Sequence, residues 1–145
     1  MVQEIILFIA RRNVIPFALL VLVSGFNAIV FLQSGWDKIT DFKGNLEWMT
    51  EQFKNCFLKN SIAMSIRLIT LLELLSGLLN AAGIIVLAFL HRGKILFAAY
   101  VLTGLTLLLL LFGQRISKNY AGAVSLTGYF LVNALGLVTM MVMSR

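Results

Sequence analysis

Cysteine, histidine, proline and charged residues are all scarce in this sequence of 145 residues. The single cysteine, Cys56, excludes an internal disulfide bond and a thiol pair for disulfide exchange. The single histidine, His91, excludes a haem held by two histidines of the chain, and no set of zinc ligands remains. Neither a phosphate-binding nor a dinucleotide-binding glycine motif is present. We therefore expect no cofactor held by the chain alone and no catalytic activity of the chain on its own.

Hydrophobic residues are abundant in this sequence, whereas charged residues are rare. They make up 60% of the chain against 12% charged residues, and the mean hydropathy is +0.95. Soluble domains contain about 45–50% apolar and about 25% charged residues. Four runs have about the 20 residues that a helix needs to cross a bilayer, at residues 14–32, 68–90, 95–113 and 124–143. The sequence therefore predicts an all-α integral membrane protein, a single domain over residues 1–145 built as a four-transmembrane-helix bundle.

The net charge of +6 comes from 12 basic and 6 acidic residues. In a soluble protein this balance would suggest a nucleic-acid partner. Here the basic residues stand in the loops and at the ends of the apolar runs, where they anchor a protein at lipid headgroups. We therefore expect lipids, and no nucleic acid, among the partners.

Two segments outside the runs are also suited to the membrane surface. Residues 1–10 are partly apolar and precede Arg11 and Arg12, the reverse of the order in a cleavable signal. We expect a short interfacial helix or a frayed end there. The first loop has apolar residues at helical spacing, at Phe42, Leu46, Met49, Phe53 and Phe57. This spacing predicts an amphipathic helix over about residues 41–58, either a lid over a cavity or a surface helix that fills space.

Polar side chains converge on one level of the predicted bundle. Short connections make neighbouring helices antiparallel, which brings Lys38, Glu73 and Arg115 toward the side of the first loop. Small and polar residues at steps of three and four mark one face of several helices, and such residues favour helix contacts in lipid. The candidates for an internal polar network, or for a ligand or quinone site, are Lys38, Glu73, Asn80, Arg115, Tyr129 and Asn133.

Glu73 is the most informative candidate, because an ionisable group inside a span costs about 2.5–3.5 kcal/mol on insertion scales and usually has a partner. Its candidate partners are Lys38, Arg67 and Arg115. Glu73 could accept a proton, bind a ligand or switch a conformation. It could equally form a buried ion pair that holds the first helix against the second. Arg115 has the alternative of an interfacial anchor. Three aromatic residues are expected at the membrane interfaces, namely Trp36, Trp48 and Tyr100.

The end of the first predicted helix and the second helix carry a pattern of spaced residues. The pattern is Phe31, Gly35, Lys38 and Phe42, then Glu73, Gly77 and Gly83, with Gly113, Gln114 and Arg115 in the last loop. With the four helices, it resembles the DoxX family over residues 14–145. The resemblance implies a small protein of the bacterial inner (cytoplasmic) membrane and carries over Lys38 and Glu73 as site candidates. The family includes a quinone-reducing thiosulfate oxidoreductase subunit and members that assemble with redox or thiol-oxidation partners.

Three functions are compatible with these features. The first is an accessory or structural subunit of a larger membrane complex, respiratory or otherwise redox, with its other subunits and lipids as partners. The second is a membrane subunit of a quinone-linked oxidoreductase, with a quinone between the helices near Lys38, Glu73 and Tyr129. The third is a lipid or small-solute carrier, against which the absence of inverted repeats argues. We favour the first and keep the second as its alternative, so a quinone or a lipid is the ligand to consider.

Overall fold

The computed structural model describes residue 3 and residues 14–143. This part of the chain contains five α-helices, one 3-10 helix and no strand. The α-helices are α1 (Val14–Thr40), α2 (Phe42–Gln52), α3 (Ile62–Leu90), α4 (Lys94–Ile116) and α5 (Tyr120–Met143), and the 3-10 helix is Phe57–Ser61. Apart from residue 3, the interfacial helix expected over residues 1–10 lies outside the described residues, as do Arg11 and Arg12.

Four of the helices, α1, α3, α4 and α5, are long and apolar enough to cross a membrane. The predicted architecture, an all-α four-helix bundle of a multi-pass membrane protein, is therefore confirmed. The helices extend beyond the apolar runs; α3 begins at Ile62 and not at residue 68. A helix that continues into the headgroup region keeps its backbone groups bonded internally, which explains why it does not end where the hydrocarbon ends.

The four long helices form a ring in the order α1, α3, α4 and α5. α1 packs against α3 and α5, and α4 packs against the same two helices, so α1 and α4 stand at opposite corners. One apolar cluster near the end of the bundle away from α2 joins Leu20 and Val23 of α1 to Leu96 and Tyr100 of α4. Leu87 of α3 belongs to the same cluster and Val132 of α5 packs against it, so side chains from all four helices fill this part of the bundle.

The first loop carries the helix α2, which lies over the start of α3. Asp41 precedes α2 and caps it, because its side chain accepts a hydrogen bond from the Gly44 N–H at 3.0 Å. The apolar face of α2, continued by Phe53, packs against Ile62 and Ile66. The predicted amphipathic helix of the first loop is thus present and rests on the bundle.

The predicted end of this amphipathic helix is wrong. The helix stops at Gln52 and does not reach residue 58, and Phe57 is 76% exposed at the start of the 3-10 helix. The chain must reverse after Phe53 to place Ile62 beneath α2, and this turn carries Phe57 away from the apolar face.

Two glycines of α3 stand where neighbouring helices come too close for a side chain. A Cβ atom added to Gly77 would lie 3.0 Å from the backbone nitrogen of Leu32 in α1, and one added to Gly83 would lie 2.8 Å from the Cα of Leu96 in α4. Because backbone atoms cannot rotate away, the helices would have to separate. Gly77 and Gly83, which belong to the pattern described above, therefore have a packing role.

The close approach of α3 and α4 at Gly83 predicts that alanine destabilises the protein there and not at Gly128. We expect Gly83→Ala to lower the free energy of unfolding by about 1–3 kcal/mol, because α3 and α4 must move apart. Gly128→Ala is the matched control, since a Cβ there meets no atom within 4 Å and alanine favours a helix by up to about 1 kcal/mol. Unfolding of the purified protein in mixed micelles, followed by circular dichroism, measures both. Equal stability of the two variants would contradict the assigned helix contact.

Candidate functional site: a buried polar network

Polar side chains from all four spanning helices meet inside the bundle. Those buried almost completely are Ser24 and Asn27 of α1, Glu73, Ser76 and Asn80 of α3, Thr103 and Thr106 of α4, and Asn133 of α5. Tyr100 of α4 is also fully buried. They bond to one another at successive levels along the bundle, from the side of the first loop inward.

The level nearest to α2 is an ion pair between α1 and α3. The Lys38 Nζ lies 3.0 Å from both carboxylate oxygens of Glu73. Ser34, one turn before Lys38, accepts a hydrogen bond from Nζ at 2.8 Å and donates one to the Glu73 Oε1 at 3.0 Å. Oε2 receives no hydrogen bond from any described residue. One face of α1 thus supplies both a cation and a hydroxyl to a single carboxylate.

The environment of this pair is asymmetric. Glu73 is 1% exposed, whereas the Lys38 side chain is 17% exposed and reaches the carboxylate from the end of α1. A carboxylate removed from water requires a compensating charge close by, and the ammonium provides it. Of the alternatives for Glu73, the geometry therefore favours the ion pair that holds α1 against α3.

The middle level joins three asparagines from three helices. The Asn27 Nδ2 donates to the Asn133 Oδ1 at 3.1 Å and lies 3.4 Å from the Asn80 Oδ1. Asn80 in turn donates to the Thr103 Oγ1 at 2.9 Å, and Asn133 donates to the backbone carbonyl of Tyr100 at 3.0 Å. All four spanning helices are bonded at this level, because Thr103 and Tyr100 belong to α4. Amide side chains suit this role, since each offers donors and an acceptor.

The third level crosses the diagonal of the ring between α1 and α4. The Tyr100 hydroxyl donates to the backbone carbonyl of Leu20 at 3.3 Å and lies 2.8 Å from the Ser24 Oγ. Space for the ring comes from Gly136 of α5, where a Cβ would lie 2.6 Å from ring atoms of Tyr100. The expectation that Tyr100 is an interfacial aromatic is therefore wrong. Trp36 and Trp48, by contrast, are exposed.

The structure brings four of the six candidate residues into this network and leaves two outside it. Lys38 and Glu73 form the ion pair, and Asn80 and Asn133 belong to the asparagine level. Arg115 is exposed and lies over the Tyr120 ring, 5.0 Å from its centroid. It forms no ion pair with Glu73, whose partners are Lys38 and Ser34.

Tyr129 also points away from the network. It is 36% exposed and its ring packs beside Phe26 of α1, with the centroids 5.8 Å apart. Four residues exceed one helical turn of 3.6, so Tyr129 is rotated by about 40° from Asn133 on α5. That offset is enough to move a side chain from the interior of a four-helix ring to the seam between α1 and α5.

Seven residues of the network are not among the six candidates, namely Ser24, Asn27, Ser34, Ser76, Tyr100, Thr103 and Thr106. Ser24 precedes Asn27 by three positions, and Thr103 and Thr106 follow Tyr100 at steps of three. The Ser76 and Thr106 hydroxyls lie 3.2 Å apart and bridge α3 to α4. Helical spacing from a polar neighbour is thus the signal that identifies Ser24, Thr103 and Thr106, and for the two threonines it requires Tyr100 to be recognised as an inward residue.

The side chains that most often bind metal ions are dispersed in this part of the protein. Within residues 14–143, no three His, Cys, Asp or Glu side chains are grouped closely enough to hold a metal ion. The network atoms are mostly bonded to other network atoms or to helix carbonyls. The arrangement can therefore fix four helices relative to one another, and only the exposed end of Lys38 meets an open groove.

A pair of tyrosines tests whether the network contributes to stability. We expect Tyr100→Phe to lower the free energy of unfolding by about 1 kcal/mol, because it removes the buried hydrogen bonds that join α4 to α1 at Ser24 and Leu20. Tyr129→Phe is the control and should change stability by less than about 0.5 kcal/mol, since its hydroxyl has no such partner. Both are measured by unfolding in mixed micelles, and equal losses would contradict the description of Tyr100.

The comparisons with known proteins add no further constraint on the site. No family model, curated protein or solved structure matches the chain. The resemblance to the DoxX family therefore stays a prediction that depends on the pattern residues themselves. Of these, Lys38 and Glu73 form the ion pair, while Gly77 and Gly83 permit the close helix contacts.

Proposed function

We propose that this protein is an accessory subunit that contributes a rigid four-helix unit to a larger membrane complex. The observation that carries the proposal is the difference in coverage among the helices. In the most apolar stretch of α5, 17% of the residues are buried, against 33% in each of the other three spanning helices. A helix so little covered by its own chain has a broad face available for the helices of another subunit.

The interior of the bundle supports the same function. The Lys38 ammonium and the Ser34 hydroxyl both donate to the Glu73 Oε1, and the ammonium lies 3.0 Å from Oε2, so the charge of the carboxylate is compensated inside the bundle. Asn80 and Asn133 are likewise engaged with neighbouring helices. Interhelical hydrogen bonds in lipid are each worth roughly 0.6 kcal/mol and add up over several levels. Such an interior suits a subunit that holds its shape.

The outward face of α5 offers a specific contact as well as area. The Tyr129 hydroxyl forms no hydrogen bond within residues 14–143, and Gly128 beside it meets open space. Small residues let helix backbones approach closely, and a hydroxyl inside a span favours a bonding partner. The surface of α5 around Gly128 and Tyr129 is therefore the part that best suits a partner helix.

The type of complex and the type of membrane are inferred from the resemblance to the DoxX family. A relationship to the DoxX family favours a bacterial inner membrane and a respiratory or other redox complex, in which the other subunits carry the cofactors. This chain would supply helices and lipid contacts and no catalytic group. The single cysteine argues for a supporting role in that setting and against direct sulfur chemistry.

A second candidate, a quinone-linked membrane subunit, is favoured by one groove. It lies beneath α2 and measures about 220 Å³. Its lining is mostly apolar, with Trp48, Met49, Phe53, Leu109 and Phe112 among the lining residues, and its polar side chains are Ser65 and Gln114. The Gln114 amide oxygen is buried and receives no hydrogen bond from described residues. This oxygen packs against Gly122 of α5, so the support for a quinone is the apolar lining of the groove. The position of this groove differs from the one expected beside Glu73, whose charge Lys38 compensates.

Photo-crosslinking in native membranes tests the accessory function. Benzoylphenylalanine in place of Tyr129 should link the chain to one defined membrane protein several-fold more than the same probe in place of Phe97, an exposed aromatic on α4. The tagged protein, extracted in mild detergent, should also migrate as part of a larger complex. A lone monomer with equal labelling at the two positions would contradict the proposal. Stoichiometric quinone in an organic extract of that monomer would favour the second candidate instead.

A further inference from the structure

A groove with a basic rim opens between the end of α1 and the first turns of α3. We call it the basic groove; its lining residues are Lys38, Ile39, Phe42, Arg67, Thr70, Leu71 and Leu74. It has a volume of about 470 Å³ and is open to the surface. Two cationic side chains line it and no acidic residue does, while most of the other lining residues are apolar. This combination of charge and apolar wall has no role in the accessory function proposed above.

Arg67 is the free cation of the basic groove. Within residues 14–143, no carboxylate lies within ion-pair distance of it and none of its N–H groups forms a hydrogen bond. Its guanidinium lies 5.8 Å from the centroid of the Phe42 ring, which places the side chain at the rim. A guanidinium with all its donors available is suited to bind two oxygens of a phosphate group at once.

Lys38 closes the deeper end of the basic groove but brings little net charge. Its ammonium is shared with Glu73 at 3.0 Å and with Ser34 at 2.8 Å, so its charge is largely compensated. Among the residues that line the groove, Arg67 is therefore the cation that no carboxylate of residues 14–143 pairs with. An anion is attracted to the rim of the groove and has no bonding partner at its deeper end.

The position of Arg67 along α3 corresponds to the surface of the bilayer. Arg67 is the last charged residue before the apolar stretch of α3, and arginines at such positions lie at the headgroups. Leu71, one turn farther into the span, is 54% exposed, and Ile39 on the opposite wall is 52% exposed. The groove thus offers a cation at headgroup level and apolar walls directly below it.

From this juxtaposition we propose that the basic groove binds one anionic phospholipid, with its phosphate on Arg67 and an acyl chain along Leu71. A soluble anion would gain nothing from the apolar walls, and a zwitterionic lipid would bring its own cation close to Arg67. Basic pockets between spanning helices are a known mode of anionic-lipid recognition. The groove is independent of the α5 face, so this proposal does not depend on the accessory function.

Native mass spectrometry of the full chain tests the proposal with two lipids that have identical acyl chains. In equal mixtures of phosphatidylglycerol and phosphatidylcholine, the protein should retain one phosphatidylglycerol about fivefold in excess, the effect expected for one basic contact. Arg67→Gln should remove this preference. Arg115→Gln is the matched control, because Arg115 is also an exposed arginine over an aromatic ring near the α2 end of the bundle. It should leave the preference unchanged.

Three results would overturn the proposal. Equal retention of the two lipids by the unaltered protein would do so without any variant, which removes the risk that Arg67→Gln fails to fold. Equal loss of preference in Arg67→Gln and Arg115→Gln would point to general surface charge. Complete displacement of the lipid by excess inorganic phosphate would indicate a site for a free anion.

Discussion

The ion pair between Lys38 and Glu73 is the constraint on which the rest of the structure depends. Glu73 is buried between α1 and α3, and a carboxylate in that position is unstable unless a cation stands beside it. Only one register of α1 against α3 brings Lys38 to it. In that register Gly77 meets the backbone of α1 at Leu32, so charge compensation and close packing select the same arrangement.

The other levels follow from that register because each helix repeats its inward face every three to four residues. Moving along α1 from Ser34 leads to Asn27 and then to Ser24, which meet Asn80 and Tyr100. Most polar side chains inside the bundle are therefore bonded to a neighbouring helix. What remains for contact with other molecules lies outside it, on the open face of α5 and in the groove at Arg67. The same network thus fixes the interior of the bundle and leaves the α5 face and the basic groove for contact with other molecules.

Much of this architecture could be predicted from the sequence. Apolar run length indicates the four spans, and the cost of a charge in lipid singles out Glu73, with Lys38 among its candidate partners. Asn80 and Asn133 follow from helical spacing. The rotation of a helix about its axis is harder to predict. The sequence predicts Tyr129 inside the bundle, although an offset of about 40° from Asn133 turns it outward. The burial of Tyr100 depends on Gly136 of another helix, and the outward turn of Phe57 depends on where Ile62 must lie. Both are tertiary effects that no local pattern contains.

A double-mutant cycle between Lys38 and Glu73 tests the central claim most directly, with unfolding in mixed micelles as the measurement. Lys38→Met alone should cost about 3 kcal/mol, because it leaves a buried carboxylate without its cation, whereas the exposed Lys43→Met should cost little. Adding Glu73→Gln to Lys38→Met should restore much of the loss, with a coupling energy of about 2 kcal/mol. Additivity within about 0.5 kcal/mol would contradict the account, because the two residues would then stabilise the bundle independently.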